Sequence, residues 1–242
     1  MIFNALTTAT ATAIMASSLV VHASACAPPT HPSNTTGGPP GLELGSDTPA
    51  DPATLGYFSN HISLNVRNLT ASIDFYTRAF GYRHIFTARP SDSLRIVYLG
   101  HSQGGRNGTG YQTAAELSRD KNNLAGLLEM ISIHVDLAEG DLPTPSTERT
   151  NTFGHVGVVV PDIEAAQARL EALGDVEILK RCGEPIPRGG KLAMAQGFSP
   201  EVVEKLGDEF GAILEVMDVL NDRFVFVADP DGNVVEIQPR EE

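Results

Sequence analysis

Four residues in this sequence have the types and the spacing to do chemistry together: His61, Glu129, His155 and Glu236. His61 opens the segment His61-Ile-Ser-Leu-Asn-Val-Arg-Asn-Leu69, and His155 opens His155-Val-Gly-Val-Val-Val-Pro-Asp-Ile163. The two segments align without a gap. Glu129 and Glu236 each sit in an apolar run, Leu127-Leu128-Glu129-Met130-Ile131 and Val234-Val235-Glu236-Ile237. An ionised carboxylate inside an apolar strand is costly unless a cation or a metal is close. Two imidazoles and two carboxylates are a suitable ligand set for one divalent ion, with Zn²⁺ as first choice and Ni²⁺ or Co²⁺ as alternatives. Taken singly, each residue has an ordinary explanation: a strand Glu can face solvent, and a His at a strand start can be structural. All four at matching places in a repeat are harder to explain that way.

The repeat supplies the elements that must position them. After each apolar segment comes an N-cap residue, Asn68 or Asp162, then apolar residues three and four apart, then Gly81 or Gly174. That pattern predicts an amphipathic helix with a glycine C-cap. Further strands are expected at 83–88, 95–100 and 127–133 in the first half, and at 176–180, 224–228 and 234–238 in the second. Asp229-Pro-Asp-Gly232 marks a turn before the last strand. Each half therefore reads β-α-β-β-β. The fold class is α+β, two βαβββ modules (57–135 and 152–239) forming one continuous curved mixed sheet around the metal site. Pseudo-twofold symmetry would bring one His and one Glu from each module to a common centre. Residues 101–124, glycine-rich and then polar, are expected to be a loop. Residues 183–221 are an insertion with an amphipathic helix around 200–220, read as a lid, an oligomer contact or an ordinary surface helix.

Charge and flanking segments narrow the function. The 242 residues carry 17 Lys+Arg against 30 Asp+Glu, a net charge of −13. This argues against nucleic acid or an anionic membrane as partner, because both are polyanions. Two cysteines, Cys26 and Cys182, exclude a four-cysteine zinc site. Residues 1–25 contain no charged side chain, run apolar from Ala13 to Val21 and end Ala23-Ser24-Ala25, the pattern of a cleaved secretory signal. Residues 26–56, rich in Pro, Gly, Ser and Thr, read as a disordered linker before a domain at 57–239. Sequons at Asn34, Asn68 and Asn107 fit a secreted glycoprotein, where Cys26 and Cys182 could pair. Gly100-His-Ser-Gln-Gly104 matches a G-x-S-x-G nucleophile elbow after a strand, but glycines follow where a helix is needed.

Three stretches carry a resemblance: Asp74-Phe-Tyr-Thr-Arg-Ala-Phe-Gly81, Phe153-Gly-His-Val-Gly-Val-Val-Val-Pro-Asp162 and Asp229-Pro-Asp-Gly-Asn-Val-Val-Glu236. They resemble glyoxalase I (lactoylglutathione lyase) within the vicinal oxygen chelate superfamily, over residues 57–181 and 222–239. The resemblance implies that His61, Glu129, His155 and Glu236 ligate the metal. It implies a proton shift between adjacent carbons of a hemithioacetal, formed from methylglyoxal and glutathione and released as S-lactoylglutathione. The metal would bind two vicinal oxygens, with Glu236 as principal base and Glu129 as its counterpart. Related extradiol dioxygenases lack a ligand at the place of Glu129, so its presence favours a lyase.

Departures from the family fall where it holds the glutathione carboxylates. Asn65 and Asn151 stand at places of arginines, and Ile133 at that of an asparagine. Arg67 and Arg149 lie near enough to substitute. The small-molecule substrate is thus a glutathione adduct or a different oxygenated metabolite. A secreted, non-catalytic binder of a metal or small ligand is the third reading, and a homodimer is compatible with all three.

Overall fold

The structure, a computed structural model, describes residues 45–46, 48–104, 108–136, 138 and 142–240. The signal-like segment, Cys26, Asn34 and Asn107 lie outside the described residues. Cys182 is disulfide-bonded.

Module one runs β1 (His61–Asn65), α1 (Leu69–Phe80), β2 (Arg83–Ala88), β3 (Leu94–Gly100), α2 (Ala114–Asp120) and β4 (Leu127–Ile133). Module two runs β5 (His155–Val160), α3 (Ile163–Leu173), β6 (Glu177–Lys180), then α4 (Gly190–Ala195), α5 (Pro200–Leu206) and α6 (Glu209–Leu220), then β7 (Val225–Ala228) and β8 (Val234–Pro239). Sequence symmetry becomes structural symmetry at the helices. The Asn68 side chain accepts from Ala71 N at 3.1 Å, and that of Asp162 from Ala165 N at 2.9 Å. Gly81 and Gly174 end the helices at φ of 71° and 77°, a region where a Cβ is strained.

The strand orders are equivalent, β1-β4-β3-β2 and β5-β8-β7-β6. In each sheet the first strand pairs parallel with the last, and the remaining pairs are antiparallel. The βαβββ modules and the α+β class are as expected. The single continuous sheet is not: β1 and β5 are edge strands of two separate four-stranded sheets.

Alternation along the strands sets one face of each sheet toward a core shared by the modules. Leu64, Val97, Leu99, Leu128 and Met130 meet Val156, Val158, Val225, Val235 and Ile237 there, with Tyr76 of α1 and Leu170 of α3. A polar latch crosses the same junction. Tyr76 Oη donates to Asp229 Oδ2 at 3.0 Å, and Ser72 Oγ donates to Asp231 Oδ2 at 3.0 Å. Arg67 donates from its backbone N to Asp231 Oδ1 (2.8 Å) and from Nη2 to the Asp231 carbonyl (2.7 Å). The predicted turn at 229–232 is therefore also where module one grips module two. Burial holds the Asp229 carboxyl above the usual carboxylate range.

Two expectations about connections are corrected. Residues 101–124 are not simply a loop: Thr113 and Glu116 form a reciprocal capping box that starts α2. Leu117 and Leu124 pack on Ile85, Tyr98 and Leu127. The helix expected around 200–220 is two helices, because Gly207 ends α5 and α6 begins anew. Together α4–α6 place Leu192, Phe210 and Leu214 on Phe226 and Val234. Lys180 fixes the end of α6: its buried Nζ donates to the carbonyls of Arg181, Asn221 and Phe224, each at 2.9 Å. Desolvation lowers its pKa. No helix among the described residues is long and apolar enough to cross a membrane.

Candidate metal centre

The four sequence-predicted residues lie at equivalent places. His61 and His155 are the first residues of β1 and β5. In the parallel pairs, Glu129 stands opposite Ser63 and Glu236 opposite Gly157, each two residues along from its histidine's own partner. Period-two alternation then puts each His and its Glu on one face, away from the shared core. His61 Nε2 lies 3.8 Å from Glu129 Oε2, and His155 Nε2 lies 3.6 Å from Glu236 Oε2. The carboxylates are largely sheltered, their side chains 17% and 11% exposed, while the imidazoles are more open.

Both gaps are too long for a hydrogen bond. They are close to the span across which one ion bridges two donors, roughly 3 Å for ion–ligand bonds of about 2 Å. The donor chemistry of each pair fits a divalent ion. Among the described residues, however, no three of the His and carboxylate groups converge on one point. The structure brings the ligands together two by two, within modules, and does not bring the pairs to a common centre.

Sequence reasoning missed the residues that hold three of these four. Asn60 donates from Nδ2 to the carbonyls of Lys121 and Leu124, at 2.9 and 2.6 Å. Its Oδ1 is 2.9 Å from His61 Nδ1. With both amide protons committed, Asn60 can only accept there, so neutral His61 carries its proton on Nδ1. Nε2, the nitrogen nearest Glu129, is left with its lone pair for a cation. Tyr98, opposite Glu129 in the β3–β4 register, hydrogen-bonds that carboxylate. Its ring meets His61 edge-on at 5.4 Å between centroids, and Lys121 Nζ lies 4.5 Å over its face. Burial, then the Glu129 hydrogen bond and charge, push the Tyr98 phenol up to about 12, so it remains a donor at neutral pH. In module two Gln238 Nε2 donates to Glu236 Oε1. The capping box at 113–116 was the sequence signal for α2, and hence for the turn that supplies Asn60's acceptors. Tyr98 and Gln238 needed the register itself.

The secondary assignments fall out unevenly. The Arg67 guanidinium is held by Asp231 and is not free for substrate. Arg149 is exposed in the stretch between the modules. Asn68 uses Oδ1 as a helix cap, accepting from Ala71 N. Ser102 of the G-x-S-x-G match accepts from Gln112 N, and the next α-helix among the described residues, α2, begins only at Ala114.

A recess of about 140 Å³ is lined by His61, Ile62 and Leu127 of module one and by Val156 and Gly157 of module two, so the site strands share a wall. Larger clefts, about 600 Å³ between α1 and α3 and about 700 Å³ within the insertion, lie away from the four residues. The open face of module one is covered at one end by α2, at Tyr98 and Leu127. That of module two is covered by α4–α6 at the equivalent residues Phe226 and Val234. Each His–Glu pair thus sits beside an apolar cover built from its module's own long connection.

The chain is similar to several known proteins. A lactoylglutathione lyase from Pseudomonas putida is 29% identical over 135 residues, 51% of this chain and 71% of that protein. Among solved structures, the trypanothione-dependent glyoxalase I of Leishmania major is 18% identical, with a TM-score of 0.43 over 76% of this chain and 86% of the other. TnmS3, an antibiotic binding protein from Streptomyces sp. CB03234, is 16% identical, with a TM-score of 0.38 over 76% and 97%. Residues 59–237, from just before β1 to within β8, match the sequence profile that spans both modules and all four candidate ligands, and the chain belongs to the Glyoxalase/Bleomycin resistance protein/Dioxygenase superfamily.

Proposed function

We propose that the chain is a metal-dependent lyase of the glyoxalase I type, isomerising the hemithioacetal of methylglyoxal and glutathione to S-lactoylglutathione. The carrying observation is the pair of His–Glu units at equivalent register positions, one per module. His61, Glu129, His155 and Glu236 would hold one divalent ion, Zn²⁺ before Ni²⁺ or Co²⁺, whose contribution is Lewis-acid polarisation of the substrate oxygens. Glu236 moves the proton between adjacent carbons, and Gln238 holds one of its oxygens in place. Glu129, hydrogen-bonded by Tyr98, would be its counterpart in the assembled site. The same reading includes secretion through a 1–25 signal, a 26–56 linker, a 57–239 domain and glycans at Asn34, Asn68 and Asn107.

Because the pairs do not meet within one chain, we propose a homodimer in which module one of one copy faces module two of the other. Exposed apolar side chains on or beside the site strands, Ile62, Ile133 and Val135, support such a contact.

Turnover of methylglyoxal and glutathione, measured with each ion and with a chelator, tests the reaction. Chelator-sensitive formation of S-lactoylglutathione is expected, and Glu236→Gln should lower it by about 10²- to 10⁴-fold while the protein stays folded. No turnover with any of the three ions contradicts it. A second reading, an enzyme of the same superfamily acting on another oxygenated metabolite, is favoured by one observation. Asn65, Asn151 and exposed Ile133 offer no cationic anchor for a tripeptide, and Arg67 is already engaged.

A further inference from the structure

Beside the module-two pair is a cleft of about 390 Å³ that the chemistry above does not use. It lies between the end of α6 and the far ends of β5 and β8. Its apolar lining includes Val159, Val219, Leu220 and Phe224, and Arg223 and Arg240 add two cations against one carboxylate, Asp222. Gln238 is also in the wall, and it is the residue that donates to Glu236. The cleft therefore begins one hydrogen bond from the candidate metal centre.

Arg67, Arg78, Arg119, Arg181 and Lys191 are held in ion pairs with carboxylates of this chain. Arg223 and Arg240 have no ion pair among the described residues. Arg223 is moreover partly desolvated: its Nε is buried with no hydrogen-bond partner. A guanidinium in that condition gains more from an anion at its remaining nitrogens than a fully hydrated one does. Just past α6, the Asn221 and Phe224 carbonyls, which would repel an anion, are occupied by Lys180 Nζ. The volume falls within the range of small-molecule sites.

We propose that this cleft binds the carboxylate of a small organic acid with an apolar body, the guanidiniums taking the charge and Val159, Val219, Leu220 and Phe224 the body. In relation to the reading above, which it deepens, the cleft anchors the substrate's non-reacting end beside Glu236. Anchoring is thereby moved to module two from the places where Asn65, Ile133 and Asn151 stand.

The test is equilibrium binding of 4-phenylbutyrate and of its amide to the full chain in excess chelator, so that failure of the metal reading leaves the result intact. The expected result is binding of the acid, weakened about tenfold or more when the amide replaces it. Arg223→Gln and Arg240→Gln should each produce a similar loss, with the exposed Arg89→Gln as an unaffected control and unchanged melting temperatures. If Arg223→Gln fails to fold, Arg223→Lys and Arg240→Gln decide. Equal binding of acid and amide, equal binding by wild type and the variants, or no binding at about 10 mM acid overturns the proposal.

Discussion

Asn60 shows how much of a site is decided by a neighbour without catalytic chemistry. Its amide is used at three points, two donors and one acceptor, and the acceptor sets which nitrogen of His61 is available. Asn60→Ala should lower metal affinity by about 10- to 100-fold, the usual cost of losing a partner behind a ligating histidine. Titration of the apo-protein with Zn²⁺ measures the affinity, and the ring ¹⁵N shifts of His61 report the tautomer. Asn60→Asp, which keeps the acceptor, should preserve the Nδ1–H form, whereas Asn60→Ala should not. An unchanged tautomer in Asn60→Ala contradicts the assignment. The four candidate ligands were legible in the sequence because duplication aligned them. Asn60, Tyr98 and Gln238 were not, because their significance lies in which atom faces which across a strand pair. An asparagine before a strand has too many ordinary uses to stand out.

The elements were read best where local chemistry was strongest. Asn68 and Asp162 cap helices, Gly81 and Gly174 end them, and β2 and β4 have the expected bounds. Reading failed where tertiary packing decided the outcome. Only the capping box announced α2, within a stretch of glycines and polar residues, and its single fully buried apolar residue, Leu117, gives little periodicity. In the insertion the apolar spacing continued across Gly207, but the chain turned there. The Asp229 turn belongs to this scale too. Its folded pKa is raised from 3.8 by burial, with the neighbouring Asp231 charge acting in the same direction. A raised carboxyl pKa contributes stability that is present below the unfolded value and lost as pH rises through the folded one. The melting-temperature difference between wild type and Asp229→Asn should therefore shift against the wild type as pH rises from about 3 toward neutrality. A difference that moves in the wild type's favour contradicts the burial argument.

For the whole molecule, the two modules were legible in the sequence, but their relation was not. Nothing local in β1 or β5 says whether two edge strands join or stay apart, and here they stay in separate sheets. That separation leaves each His–Glu pair as half of a ligand set. Subunit mixing tests whether two copies complete it. His61→Ala and His155→Ala chains, each inactive alone, should regain about a quarter of wild-type activity when unfolded and refolded together, because half the dimers are mixed and each holds one intact site. Absence of rescue, with mixed dimers demonstrated, contradicts assembly between copies.

The central claim is that the two pairs make one divalent site. Metal content of the purified, Zn²⁺-loaded chain, measured by elemental analysis after dialysis, tests it most directly. About one ion per chain is expected, and loss of that ion when either His61 or His155 is replaced by Ala, although the two residues lie in different modules. Two ions per chain, each removed by only one of the substitutions, or retention of the ion in both variants, would contradict it.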